Sequence, residues 1–159
     1  MTDARRLAAW MYGTAVAVYG LDRISKLLAE HDLAGQPPVT VIPGVLRFNY
    51  TTNSGGAFGL GQSAPWLFAT ATIAVSIAIL VVSARLSRPS TAAGLGLILG
   101  GALGNLTDRL LNGDGFLSGR VIDFIDFHVW PVFNLADSSI VIGALLLVLV
   151  GLRNEGEEA

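Results

Sequence analysis

The chain has 159 residues, of which 52% are hydrophobic and 14% charged, with a formal net charge of -2 and a mean hydropathy of +0.60. It is more apolar than a soluble domain of this length needs to be, which points to lipid as its solvent. No basic run suggests nucleic acid, and the absence of cysteine excludes disulfides and a thiol nucleophile.

Four apolar segments, at about residues 7–28, 65–84, 91–108 and 134–152, predict an α-helical polytopic membrane protein with four transmembrane helices. The third is short. The first follows Arg5 and Arg6, and Thr14 to Ala17 offers small residues for cleavage; three further spans favour an uncleaved anchor over a signal peptide. The whole chain, 1–159, is expected to form one membrane-embedded domain.

Residues 37–60 between the first two spans are expected to form a small extracytoplasmic β element. Val39 to Ile42 and Val45 to Thr51 have strand character, and Pro43-Gly44 turns between them. Gly96, Gly100 and Gly104 share one face of the third span, where another helix backbone can approach closely. Arg5, Arg6, Arg85, Arg88 and Arg153 lie beside span ends, which predicts that both termini are cytoplasmic. Trp66 and Trp130 then suit the outer interface, and the acids other than Asp3, Glu155, Glu157 and Glu158 fall on the outer side.

Ionisable groups at membrane depth are costly and mark function by default. Asp22 and Lys26 are four apart on one helix face and read as an interfacial salt bridge, with Arg23 turned away. Asn53-Ser54-Gly55-Gly56-Ala57-Phe58-Gly59 can form a tight turn presenting backbone N–H groups. Asn105 and Arg109 share a face, while Asp108 is left to pair with Arg109 after local bending or to meet solvent.

Asn134 is placed as an N-cap, and Asp137, one turn into the last span, needs a partner there. If Asp123 folds back to Asp137, the two carboxylates cannot both ionise easily and can share a proton to activate water. Spacing alone does not select Asp123 over Asp108, Asp114 or Asp126. It also leaves open a Ser-Lys peptidase using Lys26 with Ser25 or Ser54, a proton or ion path through the intramembrane acids, and a structural subunit.

In order, Asp22-Arg23-Ile24-Ser25-Lys26, Asn53 to Gly59, Gly100 to Arg109, Val121 to Phe124 and Phe133 to Asp137 resemble the motifs of the lipoprotein signal peptidases, or signal peptidase II. The likeness covers nearly the whole chain. It implies an aspartic endopeptidase of the bacterial cytoplasmic membrane that cleaves diacylglyceryl-modified prolipoproteins just before the lipid-bearing cysteine. Asp123 and Asp137 would be the catalytic pair, near the outer interface. Asn53, Gly56, Asn105, Arg109 and Asn134 would bind substrate or hold the pair, and Asp22 and Lys26 would be structural. No metal, cofactor or nucleic acid is implied; the partners are the prolipoprotein signal peptide and membrane lipid, and the chain is expected to be a monomer. Two departures stand out: Arg23 occupies a position where the family usually has glutamine, and the insertion Asn112 to Ser118 lengthens a segment expected to act as a flap.

Overall fold

The computed structural model describes residues 3–56, 64–113, 115 and 117–157, with no side chains described beyond residue 153. Ala57, Phe58 and Gly59 of the turn motif, the rival acid Asp114 and Phe116 lie outside the described residues.

In chain order the elements are α1 (Asp3–Leu33), β1 (Val39–Ile42), β2 (Leu46–Asn53), α2 (Pro65–Val82), α3 (Pro89–Leu111), β3 (Val121–Asp126) and α4 (Leu135–Glu157). Pro65 and Pro89 open α2 and α3 at positions where a missing N–H costs nothing. A 3-10 turn, Ser83–Arg85, links those two helices and packs on α1, where the hydroxyls of Tyr12 and Ser83 meet at 3.1 Å.

The fold is inverted relative to a water-soluble protein. Its largest fully buried side chains are Lys26, Met11, Asn134, Asp22 and Asp108, whereas Val16, Val81, Leu149 and Leu152 are among many large apolar residues left exposed. Such an arrangement is stable where the surroundings are hydrocarbon and the polar groups satisfy one another inside. The fold is therefore mostly helical and membrane-associated, with four helices and a small sheet.

By length and hydropathy, Pro65–Arg85 and Leu135–Arg153 are the two candidate spans among the described residues. The helices α1 and α3 fall short for a physical reason: they carry the charged residues and glycines that build the interior. Gly96 faces the Met11 carbonyl and Thr14, Gly100 faces the Ala15 carbonyl and Val18, and Gly104 faces the Asp22 side chain. A Cβ at Gly100 would sit 2.6 Å from that carbonyl oxygen, so the expected glycine face is what lets α1 and α3 pack backbone to backbone. On the other side of α3, Gly101 meets Ala136 and Ser139, and Gly94 and Gly143 cross closely. Helix α3 is thus the spine against which α1, α2 and α4 all pack.

The sheet has three strands in the order β1-β2-β3, all antiparallel. It is not confined to residues 37–60 as expected, because β3 adds to β2 with Thr51 opposite Asp123 and Asn53 opposite Val121. On the far edge of β3, Phe133 bridges Ile125 through bonds of 2.8 and 3.0 Å, which turns the chain back on itself. His128 makes the reversal in a left-handed conformation at φ 62°. This fold-back carries Asp123 to the start of α4.

Candidate active site

Helix α4 begins with a reciprocal cap. The Asp137 N–H donates to Asn134 Oδ1 at 2.9 Å, and the Asn134 N–H donates to Asp137 Oδ2 at 3.4 Å. The Ala136 N–H donates to Asp22 Oδ1 at 2.9 Å, so a second carboxylate meets the positive end of the helix. The other end of the Asn134 amide faces β3: Nδ2 donates to Asp123 Oδ1 at 2.6 Å and reaches the Ile122 carbonyl at 3.1 Å. One fully buried asparagine therefore ties both acids together.

From below, Asn105 Nδ2 donates to Asp137 Oδ1 at 2.7 Å, while Asn105 Oδ1 accepts from Lys26 Nζ at 2.8 Å and from Asn134 Nδ2 at 3.2 Å. An ammonium can only donate, so Lys26 fixes which end of the Asn105 amide faces Asp137. Lys26 Nζ also lies 2.9 Å from Asp22 Oδ2 and 2.8 Å from Asp108 Oδ2.

This cluster corrects two expectations. Asp108 neither bends to Arg109 nor meets solvent: it is fully buried, ion-paired to Lys26 and Arg23, and accepts the Ile122 N–H at 3.2 Å. Arg23, off the Asp22–Lys26 face of α1, still joins the cluster, since Asp108 approaches from α3 on the side that Arg23 reaches. The pairing of Asp22 with Lys26 is buried rather than interfacial, because α3 and α4 close over it.

A cavity of about 460 Å³ opens over the acids. Asp123 and Asp137 lie in its wall with Asn53, Gly56, Asn105 and Arg109; Asn134 sits behind that wall and touches the acids instead. Below the acids the cavity is lined by Phe68, Thr72 and Val75 of α2 and Ile140 and Val141 of α4. Both helices pack on α3, but they share no extended contact with each other, so the cavity is a cleft between them. Trp130 to Phe133 form its other rim.

Arg109 donates to the carbonyls of Ser54 and Gly55 at 3.2 and 2.7 Å and stacks its guanidinium 5.5 Å from the Phe68 ring centroid. Asn53 closes the same turn, its Oδ1 accepting the Gly55 N–H at 2.9 Å. A Cβ at Gly56 would come 2.5 Å from the Phe68 ring. The turn thus sits against α2 and α3 as one piece. In the segment expected to act as a flap, Gly119 and Arg120 bond back to Arg109 and Asn112 at the end of α3, and no described residue at 112–120 lines the cavity.

The environment separates the acids. Burial first, then the charge of Asp137, push the Asp123 carboxyl up to about 7, against hydrogen bonds from Asn134 and Asn53 and the charge of Lys26. Asp126 goes the other way: burial works to raise it, but the His128 N–H, Arg47 and Asn49 hold it below the usual carboxylate range. Its ion pair with Arg47, at 2.7 Å, occupies it outside the cavity. Lys26, ion-paired to Asp22 and Asp108 and donating to Asn105, is in no position to serve Ser25, whose hydroxyl donates to the Asp22 carbonyl at 2.9 Å.

The signal peptidase II family model matches residues 14–153. Lipoprotein signal peptidases of Rhodococcus jostii and Streptomyces coelicolor are 39% and 40% identical to the chain, over 98% and 96% of its length and 79% and 74% of theirs. The chain belongs to the signal peptidase II family. Two solved structures of bacterial membrane enzymes, obtained by the in meso method, superpose with TM-scores of 0.81 and 0.76 at 28% and 30% identity. They cover 94% and 90% of this chain and 91% and 92% of their own. For this family member, sequence reasoning missed the cleft residues Phe68, Val75 and Trp130 to Phe133. Apolar residues in an apolar span carry no signal that distinguishes a cleft wall from a lipid-facing side.

Proposed function

We propose that this signal peptidase II removes the signal peptide from diacylglyceryl-modified prolipoproteins, cleaving just before the lipid-bearing cysteine, with Asp123 and Asp137 as its catalytic pair. The observation that carries the reading is that these two acids share Asn134 and face one cleft between apolar helices. All four helices span, the sheet lies on the outer side, and both termini are cytoplasmic. The arginines near the turn between α2 and α3 and at the start of α1 support this orientation.

One carboxylate, ionised, takes a proton from water as the water oxygen attacks the scissile carbonyl carbon. The other, protonated, gives its proton to the carbonyl oxygen. Collapse of the tetrahedral intermediate breaks the C–N bond as a proton passes to the leaving nitrogen. Asn53 and the turn held by Arg109 bind the extended peptide, Asn105 and Asn134 hold the acids, and the cleft between α2 and α4 admits an apolar chain from the side.

The test compares a diacylglyceryl-modified prolipoprotein peptide with the same peptide lacking lipid, using purified enzyme in detergent. Only the lipidated peptide is expected to be cleaved at a useful rate. Equal turnover of both would overturn the substrate assignment.

A pH profile follows from Asp123. The pair holds its shared proton until about pH 7, and deprotonation removes the group that protonates the carbonyl oxygen. The value of kcat/KM is therefore expected to fall with increasing pH above about 7, close to tenfold per unit for one essential proton. A profile that stays level to about pH 9 would contradict this.

A further inference from the structure

We propose that Arg23 is a positioning residue for the acid pair, acting through Asp108 to hold both acids in place and to keep the charge beneath them balanced. The inference rests on Asp123 and Asp137 being the reacting acids. Asp108 is the branch point. Its Oδ1 takes the Arg23 guanidinium, and its Oδ2 takes Lys26 Nζ at 2.8 Å and the Ile122 N–H at 3.2 Å. The Ile122 bond fixes β3 one residue before Asp123. The Lys26 bond leads through Asn105 to Asp137 Oδ1. A shift of Asp108 thus reaches each acid by a separate route.

Charge gives the second argument. Asp22, Lys26 and Asp108 are fully buried, and Arg23, one-fifth exposed, is the fourth member. Two cations balance two carboxylates. Without Arg23 the cluster carries one net negative charge in surroundings that screen it poorly, directly behind two acids that must hold a charge of their own. Arg109 of α3, the cation among the described residues that line the cavity, is occupied by the Ser54 and Gly55 carbonyls. On the sheet, Arg47 and Asp126 neutralise each other, and α2 contributes no titratable side chain to the cavity.

The experiment compares Arg23→Gln, Arg23→Lys and the exposed, distant Arg85→Gln in cleavage of the lipidated peptide across pH. Arg23→Gln is expected to lower kcat about tenfold with KM changed less than about twofold, because Arg23 does not line the cavity. The acid limb of its pH–rate profile should move up by about half a unit or more, since the surplus negative charge opposes ionisation of the pair. Arg23→Lys should restore most of the rate and the limb, and Arg85→Gln should behave as the parent. An unchanged kcat and acid limb in Arg23→Gln overturns the proposal. So does a lower rate that merely follows a lower yield of folded enzyme, with the limb unmoved. If the dyad assignment itself is wrong, cleavage persists when Asp123 or Asp137 is replaced, a result independent of Arg23.

Discussion

Asp123→Asn is expected to reduce cleavage by at least about 10³-fold while leaving the folded protein as stable as the parent below about pH 4 and more stable at about pH 8. The two effects have one origin. In the fold, burial and Asp137 push the Asp123 carboxyl up to about 7 from 3.8. An unfolded chain ionises this group freely above 3.8, so the folded state loses stability as the pH rises towards 7, and the whole cost is present above it. Asparagine removes that cost and still accepts the 2.6 Å bond from Asn134 Nδ2 through its own Oδ1. Asp137→Asn should be equally inactive but less tolerated. Its two oxygens accept from Asn105 Nδ2 and the Asn134 N–H, and an amide NH2 placed at either one opposes a donor, costing about 1 to 3 kcal/mol. Thermal unfolding in detergent at the two pH values, beside the lipopeptide assay, separates these outcomes. Cleavage by either variant within tenfold of the parent would remove that acid from the mechanism.

The sequence reading and the structure agree where a regular pattern has one physical meaning. Four apolar segments became four helices, the glycines at 96, 100 and 104 became a helix contact, and Asn134 became the cap of α4. Where a residue's role depends on which element lies opposite, the pattern was silent or misleading. Helical spacing placed Arg23 away from Asp22 and Lys26, and on α1 alone that is correct; Asp108 arrives from α3 to meet it. The same holds for Asp123. Its strand joins β2 across a separation that no local signal encodes, and Phe133 bridging Ile125 brings the acid to Asn134. Family resemblance supplied the choice among acids that spacing left open. The structure adds the physical reason two rivals are unsuited: Asp108 and Asp126 are spent on ion pairs, outside the cavity wall.

Lys26→Met should be the most damaging single change to the fold, costing about 3 to 5 kcal/mol, because it leaves buried charge without its partner. The side chain fits an apolar replacement of similar length, so the effect isolates charge rather than volume. In its absence Asp22 Oδ2, which otherwise sees Lys26 at 2.9 Å, faces a closed interior, and Asp108 retains Arg23 and the Ile122 N–H. A loss of this size is a large part of the stability of a domain this small, so little folded protein should survive extraction at 37 °C. Adding Asp22→Asn in the same chain restores neutrality: Arg23 balances Asp108, and the new amide oxygen still accepts the Ala136 N–H. This double variant should recover at least half of the lost stability, a coupling that only neighbours sharing one charge cluster display. Its activity should stay well below the parent's, since without Lys26 the longer 3.2 Å bond from Asn134 Nδ2 is what remains to hold the Asn105 oxygen and keep its NH2 towards Asp137. Stability equal to the parent's in Lys26→Met alone would show that the ammonium does not hold the acids beneath the site, and full activity in the rescued double variant would show that the amide needs no such hold.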